Sequence, residues 1–204
     1  MRSKFLILIF MAHSAKDFSG LVGTLQGLSA KQIEAHLKLY EGYVKKINEI
    51  EEKLMTVDKS LANYSFGEYS ELKRREAVAF NGTYLHEMYF ENMIGTPTEG
   101  SAALKAAIEG SFGSMADWEK DMRAAAASTP GWVLLTFSKI DKKLHHYIMF
   151  EHHMNYPVHQ VPLMALDCWE HAFMIDYGIV KPDYLNAFLK NLDWKVLSER
   201  FAAL

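Results

Sequence analysis

A chain of 204 residues, half of them hydrophobic, carries enough apolar surface for one sizeable domain or two small lobes sharing an interface. Its formal net charge of −3 leaves no electrostatic footprint for a nucleic-acid partner. The single cysteine, Cys168, excludes an intramolecular disulfide framework and any cysteine-rich zinc cluster, so a metal would have to be held by carboxylates and by some of the nine histidines.

Met1-Arg2-Ser3-Lys4 followed by the apolar run Phe5 to Met11 reads as a basic n-region and a short h-region, with Ala12 to Ala15 offering small residues for cleavage. A second possible start, Met11, lies just before Ala12-His13-Ser14, so residues 1–15 are taken as a signal-like or upstream extension. Location is read as cytoplasmic, with export as the alternative if Met1 to Ala15 is a signal segment. No later apolar run is long enough to cross a bilayer, which predicts a mature chain without a membrane partner.

Ser29, with Gln32 three positions on, predicts a capping box at the start of a helix. Ile33, Leu37, Tyr40, Val44, Ile47 and Ile50 continue it at helical spacing to about Val57. The polar stretch Asn63 to Gly67 predicts a turn, and a second helix is expected from about Tyr69 to Met93, with an irregularity at Asn81-Gly82. Two helices on so short a connection should pack antiparallel, giving a helical hairpin lobe over residues 16–95.

Gly95, Pro97 and Gly100 mark a boundary within Ile94 to Gly100, before a mixed lobe over residues 101–204. Helical composition covers Ala102 to Glu109 and Met115 to Ala127. Three strands follow, Trp132 to Ser138, Leu144 to Glu151 and Val158 to Leu166, with Asp141-Lys142-Lys143 turning between the first two. Helices around Asp183 to Asn191 and Lys195 to Ala203 close the chain. The expected fold class is α+β: an N-terminal antiparallel helical hairpin plus a C-terminal lobe with a three-stranded antiparallel sheet surrounded by helices.

Chemistry concentrates at Asp167-Cys168-Trp169-Glu170-His171, where a carboxylate and an imidazole stand four residues apart beside an indole. In a helical or turn-like start both would face one side. The plain alternative makes Asp167 an N-cap and His171 a core histidine. His36 shares a helix face with Tyr40 and Tyr43, and His86 sits in the mostly apolar run Leu85 to Phe90; each could equally be a hydrogen-bonded core histidine. If the hairpin pairs antiparallel, His36 and His86 meet across its seam, and Asp167 and His171 complete a three-histidine, one-carboxylate cage. Such a nitrogen and oxygen set, free of thiolate, suits iron or manganese better than a structural zinc. Of the paired histidines His145-His146 and His152-His153, only one of each pair can face any given side of a strand.

With these residues assembled, Asp167-Cys168-Trp169-Glu170-His171-Ala172-Phe173 resembles the D-x-W-E-H-A-[YF] signature of the iron/manganese superoxide dismutase family. Leu28-Ser29, Gly42-Tyr43-Val44 with Asn48, Phe112-Gly113-Ser114, Gly131-Trp132 and Pro182-Asp183-Tyr184 with Trp194 extend the resemblance from about Asp17 to Phe201.

The resemblance implies one mononuclear iron or manganese ion per subunit, with His36, His86, Asp167 and His171 as its ligands. The ion would dismute superoxide to oxygen and hydrogen peroxide by cycling between trivalent and divalent states. It implies Tyr43 as the gateway tyrosine, one residue closer to the first ligand than in many members, which would remove a local helix irregularity. Tyr40 stands where many members have a histidine gate, and Met174 where the tyrosine meeting that gate would be.

Against the solvent on the metal, the resemblance places His153, with Asn155 as the fallback register. The family's second-helix glutamine has no counterpart, Gly82 and Thr83 standing near His86 instead. Glu170 would bridge a two-fold interface to His171 of the other subunit, implying a homodimer, with a homotetramer as a further state. A non-dismutase metal-binding protein of the same fold is the alternative function, supported by the altered Tyr40 and Met174 pair. A metal-free interaction protein would need four unpaired polar side chains in a core and is disfavoured.

Overall fold

A computed structural model describes residues 12–204, so most of the signal-like stretch, Met1 to Met11, lies outside the described residues. Helix α1 spans Ala30–Thr56 and helix α2 spans Glu68–Glu91, and the two pack antiparallel along their length. Ser29 caps α1 by accepting from the Gln32 N–H at 3.1 Å, but the capping box is only half made. The Ser29 N–H donates to Asp176 Oδ2 instead, and the Gln32 amide bridges the His171 carbonyl and the Ile175 N–H. Gln32 therefore ties the start of α1 to the segment that carries His171. Helix α2 runs through Asn81-Gly82 as regular α-helix, without the irregularity the sequence suggested.

Beyond the junction at residues 94–100 come α3 (Ala102–Phe112), α4 (Met115–Ala127), strands β1 (Trp132–Ser138), β2 (Leu144–Met149) and β3 (Gln160–Asp167). A 3-10 turn at Glu170–Ala172 and helices α5 (Met174–Tyr177), α6 (Lys181–Lys190) and α7 (Trp194–Ala202) follow. The sheet order is β2-β1-β3, antiparallel throughout. Central strand β1 buries Trp132 to Leu135 completely, which is why it reads as a continuous apolar run rather than an alternation. The β1–β3 register shifts between Leu135 and Thr136, where Pro162 enters edge strand β3; a residue with no N–H is tolerated at an edge or bulge.

Three strand boundaries differ from expectation. Strand β2 stops at Met149 rather than Glu151, and β3 begins at Gln160 rather than Val158 and ends at Asp167 rather than Leu166. The intervening loop carries Asn155 and His159 at positive φ, a backbone state that interrupts a strand. The junction is stitched to the C-terminal turn: Met93 bridges Leu192, Ile94 N–H donates to the Asn191 carbonyl, and Asp193 N–H donates to the Asn92 carbonyl. Among the described residues no helix is long and apolar enough to cross a membrane.

Candidate metal centre

Strand pairing sets Trp132 directly opposite Asp167, so the last carboxylate of β3 and the first indole of β1 share a sheet face turned toward α1 and α2. Asp167 is fully buried and not the cap of a helix. Its Oδ1 accepts from the Trp169 N–H at 2.9 Å, while its Oδ2 faces three imidazoles. Those are His36 Nε2 at 3.1 Å, His171 Nε2 at 3.0 Å and His86 Nε2 at 3.5 Å. Helices α1 and α2 supply the first and last of these rings, with centroids 5.1 Å apart across the hairpin seam. The 3-10 turn after β3 supplies His171. The anticipated set is brought together, each residue offering one ligand atom within 4.8 Å of the others.

His86 donates its Nδ1–H to the Gly82 carbonyl, which fixes the tautomer and leaves a bare Nε2 with no hydrogen-bond partner in the core. Burial pushes the His36 pKa down and the His86 pKa far down, so both rings stay neutral. Burial alone would raise the Asp167 carboxyl, but His171 and His36 draw it well below the usual carboxylate range, so it is ionised. Two neutral imidazoles with ring nitrogens aimed inward, a third ring and one dehydrated carboxylate converge on a point. A buried anion and an orphaned Nε2 are each costly alone, and a cation between them satisfies both. The donor set fits a divalent or trivalent ion preferring nitrogen and oxygen, as iron and manganese do.

Around this cluster the structure differs from expectation at three side chains. His153 and the fallback Asn155 are both exposed, and the imidazole facing the cluster is His152, buried at 4% exposure. His152 Nδ1 accepts from Trp132 Nε1–H at 2.8 Å, its Nε2 lies 2.7 Å from the Tyr43 hydroxyl, and its carbonyl accepts from Asn81 Nδ2 at 2.6 Å. The register implied by the resemblance is one residue off; strand alternation cannot decide between His152 and His153, because β2 ends at Met149, before either of them. Tyr40 is not at an opening: it is 1% exposed, donates its O–H to Glu87 Oε1 at 2.9 Å and accepts from the Lys16 N–H at 2.9 Å. Lys16 in turn pairs with Glu87 and Glu91, so Tyr40 fastens the entering chain to the hairpin.

Tyr43 stacks on His86 with centroids 5.3 Å apart and its ring lies over Gly82, where a Cβ would come within 2.5 Å of it. The absence of a side chain at 82 is thus what makes room for the tyrosine ring. Trp132, Gly82, His152 and Gln32 are the site residues whose roles sequence reasoning missed. The pairing of Gly131-Trp132 with the motif strand was the one signal that could have found the indole. On the surface, Glu170 is exposed, the His171 side chain is 30% exposed, and Met174 and Ile175 are 45% and 46% exposed beside them.

Comparison with known proteins bears on the same residues. Residues 100–200 match the family model for iron/manganese superoxide dismutases, C-terminal domain. The iron superoxide dismutase of Aquifex aeolicus is 38% identical over 182 residues, covering 87% of this chain and 85% of the relative. That of Cupriavidus metallidurans is 37% identical over 197 residues, covering 95% and 98%. A manganese superoxide dismutase of Haloarcula marismortui is 32% identical over 168 residues, 79% of each chain. Similarity of this extent, over both the hairpin and the sheet that together build the cluster, places the chain in the iron/manganese superoxide dismutase family.

Proposed function

We propose that this chain dismutes superoxide with one iron or manganese ion held by His36, His86, Asp167 and His171. The observation that carries this reading is the convergence of three imidazole Nε2 atoms on a single buried carboxylate oxygen. Held by these four residues, an iron or manganese ion would supply one-electron redox chemistry, by which one superoxide is oxidised to oxygen and a second, with two protons, is reduced to hydrogen peroxide.

The chain's own residues handle the protons. Trp132 can only donate, so His152 Nδ1 must accept, and the neutral ring carries its proton on Nε2. Burial lowers the His152 pKa to about 4, which keeps the ring neutral at physiological pH. The Nε2–H is then directed at the Tyr43 oxygen, so the Tyr43 hydroxyl hydrogen is turned away from His152 and is free to serve the cluster. Burial, and after it the Asp167 charge, raise the Tyr43 pKa, so the phenol holds that proton until it is called on. When the phenol gives its proton up, the His152 Nε2–H stays bonded to the Tyr43 oxygen and stabilises the phenolate, and a proton from bulk water replaces the one lost.

Glu170 is proposed to cross a two-fold axis to His171 of a second copy, making the protein a homodimer; the adjoining exposed Met174 and Ile175 supply apolar surface for such a contact. The dismutase reading is tested by superoxide decay with the chain loaded separately with iron and with manganese, normalised to metal content. Activity with one ion names the cofactor, activity with both makes the enzyme cambialistic, and inactivity of fully loaded protein would favour a metal-binding protein of the same fold.

A further inference from the structure

A cavity of about 660 Å³ lies between α1 and α2; it reaches Tyr43 at one end and otherwise runs along residues the proton path does not use. That volume lies within the roughly 300–1,000 Å³ typical of small-molecule sites. Its floor is Ile50, Val78 and Ala79, all buried, with Leu72 half-buried beside them. At its outer end Phe66, 87% exposed, stands over the opening.

Charge is distributed unevenly along the groove. The antiparallel pairing places Lys46 of α1 and Arg75 of α2 at the inner end, next to Tyr43, and Lys53 of α1 with Glu68 of α2 at the outer end. Lys46 is paired with Glu49, and Glu71 with Arg74, whereas Arg75 has no carboxylate partner among the described residues. An exposed guanidinium beside an apolar floor offers a planar, two-pronged donor suited to a carboxylate. At the outer end Glu68 offsets Lys53 and Glu71 is taken by Arg74, so uncompensated positive charge is left at the inner end, on Arg75. From Glu68 to Arg75 the helix rises about 10 Å, which matches an extended alkyl chain of roughly eight carbons.

We propose that this groove is a binding site for a free alkyl monocarboxylate, its head on Arg75 beside Tyr43 and its chain along Ile50 and Leu72 beneath Phe66. No step of the dismutation is needed for this binding, so the two readings stand or fall separately.

The test is isothermal titration of the metal-loaded full chain with octanoate, with octylammonium as the matched cation. We expect saturable binding of one octanoate per chain, at least tenfold weaker in Arg75→Gln and lost in Leu72→Glu, with octylammonium not bound. Phe66→Ala, at an exposed position, gives a second variant that should weaken binding if Leu72→Glu fails to fold. Absence of saturable binding, equal binding of octylammonium, or an unchanged affinity in Arg75→Gln would overturn the proposal. It would equally be overturned if sedimentation showed the groove closed by a second copy, with Leu72→Glu splitting that assembly and octanoate having no effect on it.

Discussion

Trp132 donates its indole N–H to His152 Nδ1 at 2.8 Å, and this one contact decides which ring nitrogen carries the proton that faces Tyr43. Trp132→Phe keeps the aromatic bulk but removes the donor, so both tautomers of His152 become accessible. Dismutation per metal ion should fall about 10- to 100-fold, the usual cost of losing a hydrogen-bonding group that surrounds a metal site, with the loss concentrated in the peroxide-forming half-reaction. Single-turnover kinetics on the oxidised and reduced protein separate the two halves. An equal loss in both would point to a disturbed cluster rather than to the proton path.

Tyr40 should behave as a structural residue. Tyr40→Phe leaves the buried Glu87 carboxylate short of a donor and the Lys16 N–H without its acceptor, at a cost of about 1–3 kcal/mol. The expected outcome is a lowered melting temperature with dismutation per metal ion changed less than about twofold. A large loss of activity at unchanged stability would restore Tyr40 to the gate role suggested by the resemblance.

Gly82→Ala sets helix propensity against fit. Alanine is favoured over glycine by about 1 kcal/mol within a helix, but its Cβ would lie 2.5 Å from the Tyr43 ring. The ring must move, and its hydrogen bond to His152 goes with it. Activity should therefore drop while stability changes little, as read by thermal unfolding alongside superoxide decay.

Metal-free protein should lose stability on acidification. His152 has a folded pKa of about 4 against about 6.5 for a free imidazole, so its contribution is fully present above pH 6.5 and fades as pH falls toward 4. The difference corresponds to about 3 kcal/mol. His36 and His86, also lowered by burial, act in the same direction, as does the depressed Asp167 carboxyl at still lower pH. Urea unfolding of the metal-free chain at pH 7.5 and pH 5 measures the slope, and His152→Gln should flatten it.

Glu170→Ala tests the proposed two-fold contact. If Glu170 of the partner subunit steadies His171, the variant should dissociate or lose metal, as read by sedimentation and metal content. A variant that stays dimeric and fully active would remove Glu170 from that role.

Much of this architecture could be read from the sequence because it rests on local periodicity. Ile33, Tyr40, Val44, Ile47 and Ile50 are buried as their helical spacing requires, and strand β1 has the bounds its apolar run suggested. His36, His86, Asp167 and His171 could be grouped because antiparallel pairing of two helices on a short turn leaves few places for their polar groups to meet. What stayed hidden depends on contacts distant in the chain. The inward turn of His152 follows from where β2 ends, and the burial of Tyr40 depends on Lys16 and Glu87, which no spacing rule connects to it. Gln32 looked like half of a capping box because Asp176, 147 residues from Ser29, takes over the other half.

Four side chains are assigned to one ion, and the metal content of Asp167→Asn tests that assignment. The substitution keeps the shape of the carboxylate but removes the charge on which three imidazoles converge. Metal analysis after identical loading should find one iron or manganese per wild-type chain and less than about a tenth of that in the variant, a loss of affinity expected when a buried anionic ligand is made neutral. A variant that retains a full ion would contradict the assignment.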